Sequence, residues 1–166
     1  MQVRRATIED VTTMMELEHS NSSAAHWPKR LYESVFADPE RSPNFYRLAW
    51  VVEEREQTAA GFSVQASRIV AFLVARRVDS EWELENIVVS ETFRRHGAAL
   101  MLLAVLIAEA RAHGGSEIFL EVRESNLSAR ALYQKAGFEK TDLRKDYYSD
   151  PREDAVVFRL SLLNTV

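Results

Sequence analysis

Ile87-Val88-Val89-Ser90-Glu91-Thr92-Phe93-Arg94-Arg95-His96-Gly97-Ala98-Ala99 is the stretch on which the reading of this chain turns. A β-branched run passes through a short basic turn into a long apolar helix, so a strand feeds a helix within a dozen residues. Helix N-termini carry unpaired backbone N–H groups, and Arg94, Arg95 and His96 add positive charge at the same place. An anion with several phosphate oxygens fits that arrangement. Gly97 lets backbone and ligand approach closely, and the small Ala98 and Ala99 keep the following turn clear. A solvated basic turn before a helix remains the plain alternative. A Walker loop would need Gly-Lys-Ser/Thr and a dinucleotide fingerprint three spaced glycines, and neither is present.

With 166 residues the chain predicts a single domain, 1–166, long enough to bury a core. The formal net charge of −4 gives no support to a general affinity for nucleic acid, so a polyanionic ligand has to rely on the local patch at Arg94 to His96. Cysteine is absent, which removes disulfides, thiolate metal sites and acyl transfer through a Cys nucleophile, and no metal is expected. Met1-Gln2-Val3-Arg4-Arg5 has no apolar core of a signal peptide, and the longest apolar run, Ala98 to Ala108, falls short of the roughly 20 residues a membrane span requires. A cytoplasmic protein with no membrane contact, a monomer or weak dimer, is the expectation.

Outward from the central stretch the elements fall into place by periodicity. Met1 to Ala6 reads as a strand, and Thr7 to Asp10 has the spacing of a capping box with Asp in place of Glu, ahead of a helix to Ser20. Asn21 to Ala25 is a loop, and Trp27-Pro28 starts a second helix with Pro in its first turn. Leu48–Glu53, Arg68–Val78 and Glu81–Ser90 are strands, with a long connection from Glu54 to Ser67. The helix from Gly97 to about His113 is apolar nearly all round, which predicts burial against a sheet. Glu117–Val122 is a strand, Ser128–Ala136 a helix capped by Asn126 or Ser125, and Phe138–Arg144 and Ala155–Leu162 are the last two strands. The order β-α-α-β-β-β-α-β-α-β-β predicts an α/β (α+β) fold, a mixed sheet with helices on its faces.

Two residues stand out chemically. Glu121 lies within Ile118-Phe119-Leu120-Glu121-Val122, and a carboxylate on a covered strand is costly unless it is paired or used. It reads equally as a base or as one half of a salt bridge to Arg123 or another arginine. Tyr133 follows Asn126 by two helical turns, so Asn126, Arg130 and Tyr133 share one face of a helix while Ala129, Leu132 and Ala136 take the face on the sheet. Tyr133 reads equally as a cleft residue or as a half-buried aromatic with its hydroxyl on backbone. Trp27 near the first loop reads as a pocket wall or as core.

Arg94-x-x-Gly97-x-Ala99 resembles the acetyl-CoA pyrophosphate loop of the GNAT superfamily of N-acetyltransferases, and the likeness extends over almost the whole chain. It is nearest to the ribosomal-protein-alanine N-acetyltransferase (RimI) family in Asn86 to Val89, Leu120 to Arg123 with Ser125-Asn126, Ala131-Leu132-Tyr133, Gly137-Phe138, Arg144, Tyr147-Tyr148 and Arg152 to Ala155. The resemblance implies the GNAT fold, a mixed and mostly antiparallel seven-stranded sheet flanked by about four helices, with acetyl-CoA as co-substrate. It implies Glu121 as general base, Tyr133 as general acid that also borders the cofactor, and Asn126 beside the cofactor. The main chain of Ile87, Val88 and Val89 would hold the pantetheine arm, and Arg94, Arg95, His96, Gly97, Ala98 and Ala99 the pyrophosphate. Trp27, Tyr147 and Tyr148 would border the acceptor, and Asp150, Glu153 and Asp154 could select a basic residue behind it. The acceptor implied is the N-terminal alanine of a small-subunit ribosomal protein.

The chemistry is direct transfer from a thioester to a neutral amine. A protein α-amine has a reference pKa of roughly 7.7 to 8.0 against about 10.4 for lysine, so a mild carboxylate base with a raised pKa is sufficient. Other protein N-termini or a small-molecule amine are the alternatives within the enzyme class. A non-catalytic acetyl-CoA-binding module is the alternative outside it, and it would need neither Glu121 nor Tyr133.

Overall fold

β-branched runs and two-residue alternation are concentrated in seven segments, and all seven pair into one sheet. They are β1 (Gln2–Arg5), β2 (Phe45–Arg55), β3 (Ser67–Val78), β4 (Glu81–Val89), β5 (Glu117–Arg123), β6 (Glu139–Ser149) and β7 (Arg152–Ser161), in the order β1-β2-β3-β4-β5-β7-β6. The structure is a computed structural model and describes residues 1–21, 26–37, 45–55 and 67–163. Every neighbouring pair is antiparallel except β4 and β5, which run parallel.

Helices α1 (Val11–His19), α2 (Lys29–Ser34), α3 (Ala98–Ala112) and α4 (Leu127–Lys135) flank the sheet. α3 and α4 share one face, where Leu102, Leu103 and Leu106 join Leu73, Trp82, Ile118, Leu120 and Phe158 in one buried cluster. α1 and α2 cover the other, where Met14, Leu17, Tyr32 and Val35 pack with Val51, Phe72, Val74 and Val88. Among the described residues, the mixed, mostly antiparallel sheet with four α-helices is therefore as the resemblance implies, and its element order is as the residue pattern predicts. Among the described residues no helix is long and apolar enough to cross a membrane.

The feature that positions the site is local to β4. Leu84 pairs with Ala75 and Asn86 with Val74, so Glu85 is an extra residue that bulges the strand. The bulge reverses the alternation. Trp82 and Leu84 face the α3 core before it, whereas Ile87 and Val89 do so after it and Val88 turns to the α1–α2 side. β4 meets β5 only through Glu81 to Glu83 against Glu117 to Phe119. Beyond that point β4 stays with β3 and β5 stays with β7, and the two strands part.

The capping box at Thr7 forms with Asp10 in the Glu position, and Asp10 also receives both terminal nitrogens of Arg4 at 2.7 and 2.9 Å. Pro28 stands one step earlier than expected, as the extended N-cap of α2 and not in its first turn. β2 begins at Phe45 and β6 runs on to Ser149, because ladder pairing such as Phe45 with Val78 extends strands past their apolar segments. Most of the Glu54–Ser67 connection, and the Asn21–Ala25 loop beyond Asn21, lie outside the described residues.

Gly115 closes the turn from α3 into β5 under close contact. A Cβ there would stand 2.8 Å from the Ala110 carbonyl oxygen and 2.9 Å from the buried Trp82 ring. Gly115→Ala is expected to cost about 1–3 kcal/mol of stability, as overpacking against backbone does, read from urea denaturation.

Candidate active site

The basic turn is built by two left-handed residues in three. Arg95 has φ +65° and Gly97 has φ +88°, a conformation that a glycine adopts without strain. A Cβ on Gly97 would meet nothing within 4 Å, so the side of the turn it faces is open. The first main-chain bond of α3 runs from Met101 N to Gly97 O at 3.0 Å, leaving the N–H groups of residues 98–100 ahead of the ladder. Free amides, an open face and two guanidinium groups suit a pyrophosphate. Ala98 contributes only its amide, since its side chain is in the core, and Ala99 is half-buried. Arg94 hydrogen-bonds the Asn21 side-chain oxygen at the end of α1 and lies 3.6 Å from Glu91, while Arg95 is exposed. His96 is exposed on the loop and its Nδ1 lies 2.9 Å from the Arg94 carbonyl oxygen, apart from the carboxylate site.

Where β4 leaves β5, the main chain from Leu84 to Val89 has no strand partner on its β5 side among the described residues. Ile87, Val88 and Val89 therefore present an open edge that leads from the parting point to the basic turn. An amide-bearing arm could pair with it as a further strand does.

Glu121 stands on the other lip. Leu120 and Val122 enter the α3 core, so the alternation of β5 sends Glu121 toward the α1–α2 face. Its side chain is 12% exposed and forms an ion pair with Arg144 of β6. The expected partner Arg123 is committed elsewhere, to Glu153 at 3.3 Å and to the carbonyl oxygens of Asp150 at 2.9 Å and Pro151 at 3.1 Å. Tyr147 rests on the same carboxylate, and that hydrogen bond, with burial, holds its hydroxyl protonated above the ordinary phenol range. Tyr147 and Tyr148 form an edge-to-face pair 5.2 Å apart, and Arg123 lies over the Tyr148 ring at 4.2 Å.

Tyr133 is placed differently from its expected helix face. Its ring is 5% exposed and packs at 6.1 Å from Phe138 and 6.0 Å from Phe158, in the core together with Ala129, Leu132 and Ala136. Burial pushes its pKa up, with the nearby Tyr148 adding to the shift. Tyr148 in turn is pushed up to about 12, first by burial and then by the Glu121 carboxylate. So Tyr148 is electrostatically in reach of both Glu121 and Tyr133, and no hydrogen bond joins those two directly among the described residues. Asn126 is the N-cap of α4, its oxygen accepting from Ala129 N at 3.1 Å. Arg130 does not converge with them, for it donates to the Glu124 carbonyl oxygen at 2.7 Å.

Trp27 donates its backbone N–H to Glu18 at 2.8 Å and stacks its ring 5.5 Å from Tyr32, so it supports the α1–α2 wall. Tyr147 is well exposed beside Glu121. Glu153 and Asp154 are used internally, by Ser125 N at 2.6 Å and Asp146 N at 2.8 Å, and Asp150 alone of the three acids keeps a carboxylate without such a partner among the described residues.

Sequence reasoning missed Glu83, two residues before the bulge and on the face of Glu121. Burial raises its pKa against the pull of Arg76, with the carboxylates of Glu85 and Glu121 adding to the rise. The alternation Glu81-x-Glu83-x-Glu85 was the available signal, since carboxylates at every second position of a strand share one face until a bulge intervenes. It also missed the role of Arg144 and a buried network around Glu18. Among the described residues no cluster of His, Cys, Asp or Glu could hold a metal ion.

The family model of the acetyltransferase (GNAT) family matches residues 13–138. A [ribosomal protein bS18]-alanine N-acetyltransferase of Haemophilus influenzae is 41% identical over 97 residues, which cover 57% of this chain and 66% of that protein, about two thirds of its length. The solved ribosomal-protein-S18-alanine N-acetyltransferase from Escherichia coli superposes with a TM-score of 0.73 at 26% identity, covering 99% of this chain and 97% of that one. Arabidopsis thaliana NAA60 in complex with acetyl-CoA shares the fold with a TM-score of 0.77 at 16% identity, covering 96% and 97%.

Arg94→Ala is expected to weaken acetyl-CoA binding about tenfold, the worth of one charge-assisted contact, while the rate of the bound complex changes less. Calorimetric titration with the cofactor, set beside kcat, checks it; a fall confined to kcat would place the pyrophosphate elsewhere.

Proposed function

This chain belongs to the acetyltransferase (GNAT) family, and we propose that it transfers acetyl from acetyl-CoA directly to the α-amine of a protein N-terminus, with the N-terminal alanine of ribosomal protein bS18 as acceptor. The observation that carries the reading is Glu121, a largely buried carboxylate at the parting of β4 and β5 that faces away from the α3 core. The name of the Haemophilus influenzae relative supports the choice of acceptor.

Acetyl-CoA supplies an acyl carbon activated as a thioester. The turn from Arg94 to Ala99 holds the pyrophosphate, and the main chain of Ile87, Val88 and Val89 holds the arm along the open edge. The acceptor then enters from the α1–α2 face, because that is the side to which Glu121 points. The incoming α-ammonium displaces Arg144 from Glu121, exchanging one cation for another at a carboxylate. Glu121 takes one proton and frees the lone pair. The nitrogen–carbon bond forms at the acyl carbon, the carbon–sulfur bond breaks and the thiolate leaves, and the nitrogen, which still carries one proton more than an amide, releases it to water. Tyr133, held protonated by burial, offers its O–H to the departing sulfur, and Asn126, at the N-cap of the same helix, borders the cofactor. Tyr147 and Tyr148 line the path on the β6 side.

Incubation with acetyl-CoA and a panel of N-terminal peptides and free amines, read by mass, tests the acceptor. Acetylation of an Ala-initiated bS18 peptide is expected, and labelling of a small amine alone would overturn that choice. Glu121→Gln is expected to bind acetyl-CoA normally and to lose on the order of 10²- to 10⁴-fold in turnover near neutral pH, the usual worth of a general base. An unchanged rate would remove Glu121 from the chemistry.

A further inference from the structure

Glu18 in α1 is a carboxylate that this chemistry leaves unused, and it is completely buried. No cation pairs with it among the described residues. Its oxygens are held by neutral donors instead: Asn86 Nδ2 at 2.7 Å, the Trp27 backbone N–H at 2.8 Å and the Tyr32 hydroxyl. Removing a carboxylate from water is expensive, and it persists only where donors converge on it. Here the donors come from three places. Trp27 precedes α2, Tyr32 lies within α2, and Asn86 lies in β4 directly after the Glu85 bulge. One carboxylate therefore ties both helices on the acceptor side to β4 at the point where that strand leaves β5. One turn further along the chain, Asn21 accepts from Arg94 of the basic turn.

We propose that Glu18 is a positioning residue for acetyl transfer: through Asn86 and Trp27 it fixes how far the α1–α2 wall, past which the acceptor enters, stands from the β4 main chain that holds the thioester. The inference rests on the acceptor reading given above. Glu18 touches neither substrate. Its effect falls on the alignment of amine and acyl carbon, where small displacements are costly in rate. Cofactor affinity changes less, since the cofactor is held by the main chain of Ile87 to Val89 and by the basic turn, and the Glu18 carboxylate bonds to neither.

Asn86→Asp sets carboxylate against carboxylate in a buried site. It is expected to lower kcat/KM for the acceptor roughly tenfold or more, the worth of a lost hydrogen bond to a charged group. The acetyl-CoA dissociation constant is expected to change by less than kcat/KM, and the Trp27 amide to exchange faster with deuterium. Adding Glu18→Gln rebuilds the pair with donor and acceptor reversed, since the amide introduced on α1 donates to the carboxylate introduced on β4 and still accepts from Trp27, and most of both losses should return. Glu18→Gln alone is milder because the Asn86 amide can turn over. If Asn86→Asp does not fold, Asn86→Ala removes the donor without adding charge, and the same measurements apply. Faster Trp27 exchange with kcat/KM unchanged would make Glu18 merely structural and overturn the proposal. So would a double variant that recovers Trp27 protection but not kcat/KM. Should only a small amine be acetylated, the choice of acceptor fails, and the same comparison is made with that amine.

Discussion

The extra residue at Glu85 is the constraint on which the site depends. A parallel pair of strands gains a hydrogen bond at each step, so β4 and β5 would be expected to stay together over their whole lengths. They part after three residues because the bulge turns β4 while β5 keeps an unbroken ladder with β7. Buried backbone groups left without partners cost about 1–3 kcal/mol each, so the open edge of β4 is stable only against water or a chain that pairs with it. The same bulge that opens the edge also moves Val88 from one core to the other. One residue thereby decides both where a ligand's arm can lie and which wall borders it.

Charge on the α1–α2 face is laid out across the strands. Arg47 of β2 grips Glu85 at 2.7 and 2.9 Å, Arg76 of β3 reaches Glu83 and Glu85, and Arg144 of β6 reaches Glu121. The pairs of Arg76 and Arg144, which reach solvent, contribute on the order of 0–1 kcal/mol each to stability, so their weight lies in the local potential. Each arginine near the lip of the cleft is matched by a carboxylate, and Glu83 keeps a raised pKa despite Arg76 because burial outweighs the pairing. An ammonium group approaching Glu121 meets a face whose fixed cations are already committed.

Much of this was legible in the residues alone, and the reasons are local. Thr7 to Asp10, the Asn126 cap and the apolar helix after Gly97 are short-range patterns, and each forms as its spacing predicts. The basic turn was legible because Gly97 and two arginines act within a few residues of one another. The bulge was not, since Leu84-Glu85-Asn86-Ile87 is as consistent with plain alternation as with one residue too many; only the pairing with β3 decides it. Tyr133 was misplaced for a related reason. Two-turn spacing from Asn126 puts it on one stripe of α4, but the ring turns into the core beside Ala129 and Leu132, where it packs against Phe138 and Phe158. Glu18 was invisible because its donors are 9, 14 and 68 residues away, and nothing in an isolated Glu at the end of a helix foretells them.

The burial of Tyr133 also bears on what it can do in the proposed transfer. A phenol ionises near 10 in water and a thiol of the cysteine kind near 8.5, so handing a proton from one to the other already costs about 2 kcal/mol. Burial and the neighbouring Tyr148 both raise Tyr133 further, which makes full transfer costlier. A thiolate leaves as an anion, however, and a fixed O–H dipole in a dry site stabilises a developing anion without giving up its proton. Such a hydrogen bond strengthens as negative charge gathers on the sulfur, so its effect falls on the transition state more than on the bound thioester. The physical setting of Tyr133 therefore favours donation of a hydrogen bond during departure, with the proton reaching sulfur from water once the cleft has opened.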